Sequence, residues 1–162
     1  MLDTSTLNNP DVIKLATNNF INLKIDAETN YGQNLFEKFN GNGYPLVLFL
    51  DSNGNELDRF YGYIPAYEFI IKMQNVINGQ DTFTYYLNEY NKNNHSAEIL
   101  SSLADKYNDK GETKRALALY MELERTANLS KSDFDKAKYY IASLSLENNE
   151  LTHMLTYLNN YQ

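Results

Sequence analysis

Cysteine and tryptophan are absent from this chain of 162 residues, and only three prolines and seven glycines occur. Without cysteine these residues form no disulfide, offer no thiolate nucleophile and hold no cysteine-bound metal. Long apolar runs are missing too. None approaches the ~18 residues of a membrane span, and the mean hydropathy is −0.55. The opening residues, MLDTSTLNNPD, have neither a basic region nor an apolar stretch and do not read as a signal peptide. Positive charge is the minority: 14 Lys and Arg against 21 Asp and Glu give a net charge of −7. Such a chain repels a phosphate backbone, so no nucleic-acid partner is expected. No phosphate loop, no Gly-x-Gly-x-x-Gly and no Gly-x-Ser-x-Gly occurs.

What is present is distributed unevenly. Pro10, Pro45, Pro65 and six of the seven glycines lie within residues 1–80. Residues 81–162 hold only Gly111 and no proline, which leaves them free to be helical. Charge does not mark the division, because the first part carries 5 basic and 9 acidic residues and the second 9 and 12. With 43% apolar residues the chain has material for a core of ordinary size.

In residues 1–80, Asn9-Pro10-Asp11 is a helix start, and Val12, Ile13, Leu15 and Ala16 predict a short helix. Phe20 to Ile25 alternates apolar and polar residues and predicts a strand closed by Asp26. Asn34 to Phe39 predicts a second short helix. Leu46 to Leu50 is continuously apolar, as a strand buried on both faces would be. Asp51 to Asn55 is turn chemistry around Gly54, and Leu57 to Tyr61 returns as the second strand of a hairpin. Pro65 opens a longer helix that Asn78-Gly79 closes. Residues 81–162 read as helices at about 82–91, 95–109, 112–127 and 131–160, the last broken near Asn148-Asn149. The stripes Leu100, Leu103, Ala104, Tyr107 and Ala116, Leu119, Tyr120, Leu123, with Gly111 between them, suit an antiparallel helix hairpin.

The order helix, strand, helix, Gly43-Tyr44-Pro45, buried strand, Asn-Gly hairpin, strand, helix resembles the C-terminal two-thirds of a thioredoxin-like domain. FINLKID (Phe20 to Asp26) and the hairpin LVLFLDSNGNELDRFYGY carry the resemblance. It implies that Pro45 follows a cis peptide bond. It also implies a missing Cys-x-x-Cys, which in redox-active members lies upstream of the matching segment, so that the chain would begin inside the helix carrying that motif. The strand that normally lies between those matching Phe20–Ile25 and Leu46–Leu50 would then be lacking. The helical part resembles one tetratricopeptide unit, at Leu100, Leu103, Ala104, Tyr107, Gly111, Ala116, Tyr120 and Leu123, followed by a degenerate one at Phe134, Ala137, Ile141 and Met154. The expected fold is therefore α/β: an incomplete thioredoxin-like sheet with flanking helices over 1–80, then an all-α helical-hairpin region over 81–162.

Candidate sites are sparse. His95 and His153, the only histidines, are expected at the surface and not as a metal pair. Asp51 to Gly62 fails as a calcium loop, because its sixth and twelfth positions are Glu56 and Gly62. Asp26, Glu28, Asp51 and Asp58 read as turn formers and solvated charges. The clusters Tyr61, Tyr63, Tyr67, then Tyr85, Tyr86, Tyr90, then Tyr139, Tyr140 suit either half-buried packing or an interface. No catalytic, cofactor or metal residue is identified. The resemblance places Tyr44 and Pro45 beside a groove for an extended peptide. The expected function is a redox-inactive module that binds protein or peptide, with a homodimer completing the sheet as one form. The alternative is a fragment of a disulfide oxidoreductase whose Cys-x-x-Cys lies upstream of Met1. Localisation is left open: cytoplasmic if the chain is complete as given, exported if a longer N-terminus carries a signal.

Overall fold

The computed structural model describes residues 2–148 together with Leu155. It divides into two compact units, Met1–Tyr85 and Tyr86–Gln162.

The first unit opens with a single π-type turn, Leu2–Thr6, which the periodicity of the sequence did not announce. Helix α1 follows at Pro10–Asn19. The Asn9 side chain accepts from the backbone N–H groups of Asp11 and Val12, satisfying two donors that the first helical turn leaves open. Helix α2, Asn30–Lys38, starts four residues earlier than the apolar pattern predicts, because the Thr29 hydroxyl caps it by accepting from Gly32 N–H at 3.1 Å. Gly32 is required there: a Cβ would stand 2.0 Å from the Asp26 carbonyl oxygen.

Strands β1 (Leu46–Leu50) and β2 (Glu56–Tyr61) pair antiparallel, from Leu46 opposite Tyr61 to Phe49 opposite Asp58, with a bulge before Leu50 meets Glu56. The turn between them is held by Asp51, whose carboxylate accepts from Asn53 N–H, Asn55 N–H and the Asn55 side chain. The Asn55 amide, the largest influence, helps hold this carboxyl below its ordinary pKa. Gly54 takes φ of 80° at the tip. Helix α3, Ala66–Asn78, ends on Gly79 in the left-handed conformation. One face of the hairpin meets α1 and α3 in a core of Val12, Phe49, Phe60, Phe69 and Met73, with Val47 and Phe20 packed against it.

One expected strand does not form. Among the described residues Phe20 to Ile25 runs without helical or sheet pairing, and the sheet consists of β1 and β2. The alternation in FINLKI suits a strand, but strand hydrogen bonds need a neighbour, and among the described residues none pairs with it.

In the second unit α4 (Phe83–Asn91) straddles the division, and α5 (Ala97–Asp109), α6 (Thr113–Glu124) and α7 (Lys131–Glu147) follow. Helix α6 packs on both α5 and α7. Leu103, Ala104, Ala116, Tyr120, Leu123, Ala137 and Ile141 are fully buried, so the two predicted stripes do face inward. The expected continuation of α7 past Asn149, with His153 and Met154, lies outside the described residues.

Candidate functional site

The loop before β1 gathers the residues singled out for peptide binding. The Tyr44–Pro45 peptide bond is cis. Tyr44 is 64% exposed, yet its ring is stacked on Phe36 of α2 with centroids 4.4 Å apart and planes 21° apart. Phe36 in turn lies flat against Gly41, where a Cβ would approach the ring to 2.4 Å, so any other residue at 41 would displace it. Pro45 is exposed, and its carbonyl accepts from Gly62 N–H at 2.9 Å, which ties the loop to the end of β2. The result is an aromatic ring held in place from below with its other face open to solvent. That arrangement favours contact with an apolar or aromatic side chain, since little ordering entropy remains to be lost.

Behind this loop lies an ion pair that sequence reasoning missed. Arg59 and Glu56 side chains are only 2% and 7% exposed. The guanidinium forks onto both Glu56 carboxylate oxygens, from Nε at 2.7 Å and Nη2 at 2.6 Å. It also donates to the Phe39 carbonyl at 2.7 Å and the Tyr61 hydroxyl at 2.9 Å. Burial opposes the Arg59 charge, but Glu56 and Tyr61 outweigh it and hold its pKa above the usual value. The pair therefore ties the end of α2, which carries Phe36, to β2. Nothing in ELDRFY marks Arg59 as buried, because a charged residue in a strand is normally read as solvent-facing.

The other carboxylates take structural roles. Asp58 is 2% exposed and accepts from Phe83 N–H at 3.3 Å, a favourable place for an anion at the start of α4. Asp26 accepts from Glu28 N–H in a turn. A shallow open cleft of about 240 Å³ lies between α1 and α3, lined by Asp11, Lys14, Leu15, Asn18, Ile70 and Gln74. Among the described residues no three His, Asp or Glu side chains converge as a metal site would require.

In the helical unit His95 is stacked on Tyr90 at 4.4 Å and hydrogen-bonded to Glu122, which also accepts from the Tyr90 hydroxyl at 3.2 Å. The buried Tyr120 donates to Asp105, which also meets Lys136, and Lys136 reaches the Ser101 hydroxyl at 2.9 Å. Tyr120 and Tyr140 are stacked with centroids 4.7 Å apart. The cluster joins α5, α6 and α7. Of the tyrosines read as clusters, Tyr86 is buried beside a half-buried Tyr85, and Tyr139 is 68% exposed beside a half-buried Tyr140, so neighbours in sequence do not share an environment.

Burial first, and then the Asp105 carboxylate, push the Tyr120 phenol well above its ordinary pKa. Above pH ~10 the unfolded chain ionises this phenol and the folded chain does not, so the folded state binds more protons and stability falls as pH rises. The contribution is fully present below pH ~10, and its loss proceeds at up to about 1.4 kcal/mol per pH unit for this one group. Thermal unfolding followed by circular dichroism at pH 9 and pH 11 should show the drop, and Tyr120→Phe should shrink it.

Residues 1–77 match the sequence model of a thioredoxin-like domain. The match locates such a domain at the N-terminal end of this chain. No curated protein and no solved structure gives a match. The architecture is thus an α/β thioredoxin-like domain followed by a helical region. Among the described residues no helix is long and apolar enough to cross a membrane.

Proposed function

We propose that this chain is a redox-inactive thioredoxin-like protein that binds extended peptide or protein segments at Tyr44 and Pro45. The observation that carries the reading is the exposed Tyr44 ring, braced by Phe36 beside the cis Pro45 bond. Thiol–disulfide exchange needs a thiolate, and these residues supply none. We extend the reading to the helical unit as one tetratricopeptide-like unit, supported by the buried small residues Ala104 and Ala116, which let α5 and α6 approach closely. The test is a screen of extended peptides by calorimetry against the whole chain. A bound peptide should lose about tenfold or more in affinity with Tyr44→Ala, as expected for an aromatic anchor worth ≥ ~1.4 kcal/mol. Affinity unchanged by that substitution would refute the site.

A second reading takes the chain as part of a thioredoxin-like disulfide oxidoreductase whose Cys-x-x-Cys is not among these residues. The unpaired Phe20–Ile25 segment supports it. Intact-mass measurement of the protein from its source cells decides between the two.

A further inference from the structure

Four Asn-Gly steps occur in the chain: Asn40-Gly41, Asn42-Gly43, Asn53-Gly54 and Asn78-Gly79. At such a step the glycine nitrogen can attack the Cγ of the asparagine before it, because glycine has no Cβ to crowd the approach. The attack requires that nitrogen to give up its proton and swing toward the side chain. A hydrogen bond from the glycine N–H to a fixed carbonyl opposes both movements. All four asparagines are exposed, so exposure does not separate them.

The hydrogen bonds do separate them. Gly41 N–H donates to Phe36 O at 2.8 Å, Gly54 N–H to Asp51 O at 3.0 Å and Gly79 N–H to Val76 O at 3.2 Å. Gly54 and Gly79 are further fixed, at φ of 80° and 63°, as the hairpin tip and the helix cap. Asn42 lies outside helix and strand, and among the described residues Gly43 N–H donates to no partner.

We propose that Asn42 is a self-modification site, at which the Gly43 nitrogen displaces the side-chain amide and converts the asparagine to aspartate and isoaspartate. The bond from Gly43 N to Asn42 Cγ forms and the Cγ–Nδ2 bond breaks. The proton lost from Gly43 N leaves with the amide nitrogen as ammonia. Water then opens the cyclic imide. Opening at the side-chain carbonyl gives aspartate. Opening at the main-chain carbonyl gives isoaspartate, whose backbone is longer by one methylene. Either product adds a negative charge to the loop.

The Tyr44 ring registers the change. On one side of Asn42, Gly41 packs against Phe36; on the other, Tyr44 stacks on that same Phe36 ring. A methylene inserted between Gly41 and Tyr44 lengthens a connection whose two ends meet on one side chain, so the stack loosens. The conversion needs no peptide, so it proceeds whether or not Tyr44 binds one.

The test is incubation of the whole chain at mildly alkaline pH, followed by peptide mapping with electron-transfer mass spectrometry, which tells isoaspartate from aspartate. Asn42 should convert at least about tenfold faster than Asn40, Asn53 or Asn78, the ratio that corresponds to one hydrogen bond of ~1.4 kcal/mol broken first at the others. In denaturing urea the four rates should converge. Gly43→Ala should slow the conversion and leave the fold intact, because the added Cβ would meet only Tyr61 Cδ1, at 3.6 Å, and Gly43 does not hold a positive φ. Nuclear Overhauser contacts between the Phe36 and Tyr44 rings should weaken in the isoaspartate form. They should persist in fresh Asn42→Asp, which adds the charge without the methylene. The proposal is overturned if another Asn-Gly step of the folded chain converts as fast as Asn42, if Asn42 keeps its lead in urea, or if Gly43→Ala converts at the wild-type rate. Ring contacts unchanged in the isoaspartate form would overturn the effect on Tyr44.

Discussion

Replacing Arg59 with methionine is expected to destabilise the Met1–Tyr85 unit by about 3–5 kcal/mol. Methionine fills much of the volume, so the loss is electrostatic. The Glu56 side chain is 7% exposed and would keep its negative charge without the guanidinium that forks onto both its oxygens. The Phe39 carbonyl and the Tyr61 hydroxyl would also lose the donors that reach them. Removing both charges, with Glu56→Leu and Arg59→Met together, is expected to recover most of the loss, because an apolar pair leaves no stranded charge. Urea dependence of hydrogen exchange at the Val47 and Phe49 amides, which face β2, reads this unit separately from the helical one. A single variant as stable as wild type would mean that Glu56 finds water on the loss of its partner.

The second large effect is expected from Phe69→Ala. Phe69 is 6% exposed, and its ring is 5.5 Å from Phe60 and 6.3 Å from Phe49. It therefore bridges α3 to both strands. Truncation removes the apolar contact and leaves a cavity among rings that are fixed to a two-stranded hairpin, for a cost of about 3–5 kcal/mol. A hairpin of two strands has little independent stability, so its persistence depends on this packing. Phe69→Leu should cost distinctly less, because it keeps most of the buried volume. The same exchange measurement applies. Equal losses for alanine and leucine would show that ring–ring geometry, not volume, holds the core.

The candidate site was legible only in part. The Gly43-Tyr44-Pro45 step and its likeness to thioredoxin-like domains pointed to Tyr44 and Pro45, and the cis bond is present. The support beneath them was not legible. Phe36 read as one apolar residue of a short helix, and Gly41 as part of a loop, yet their close approach sets the Tyr44 ring. Likewise Tyr120 belonged to an apolar stripe, while its hydroxyl belongs to a polar cluster with Asp105 and Lys136 from other helices. Such partners lie 15 and 31 residues apart in sequence and share no local pattern.

By itself the sequence determined the helices and the tight turn. Their hydrogen bonds close within a few residues, so Asn9, Gly79 and the Asp51-to-Gly54 turn act on their immediate neighbours. Only the tertiary structure decided that Phe20–Ile25 stays unpaired, that Arg59 and Glu56 are buried, and which tyrosines are enclosed. A strand takes its hydrogen bonds from another part of the chain, and the burial of Arg59 and Glu56, only three residues apart, depends on distant groups such as the Phe39 carbonyl. Neither condition can be read from the residues on either side.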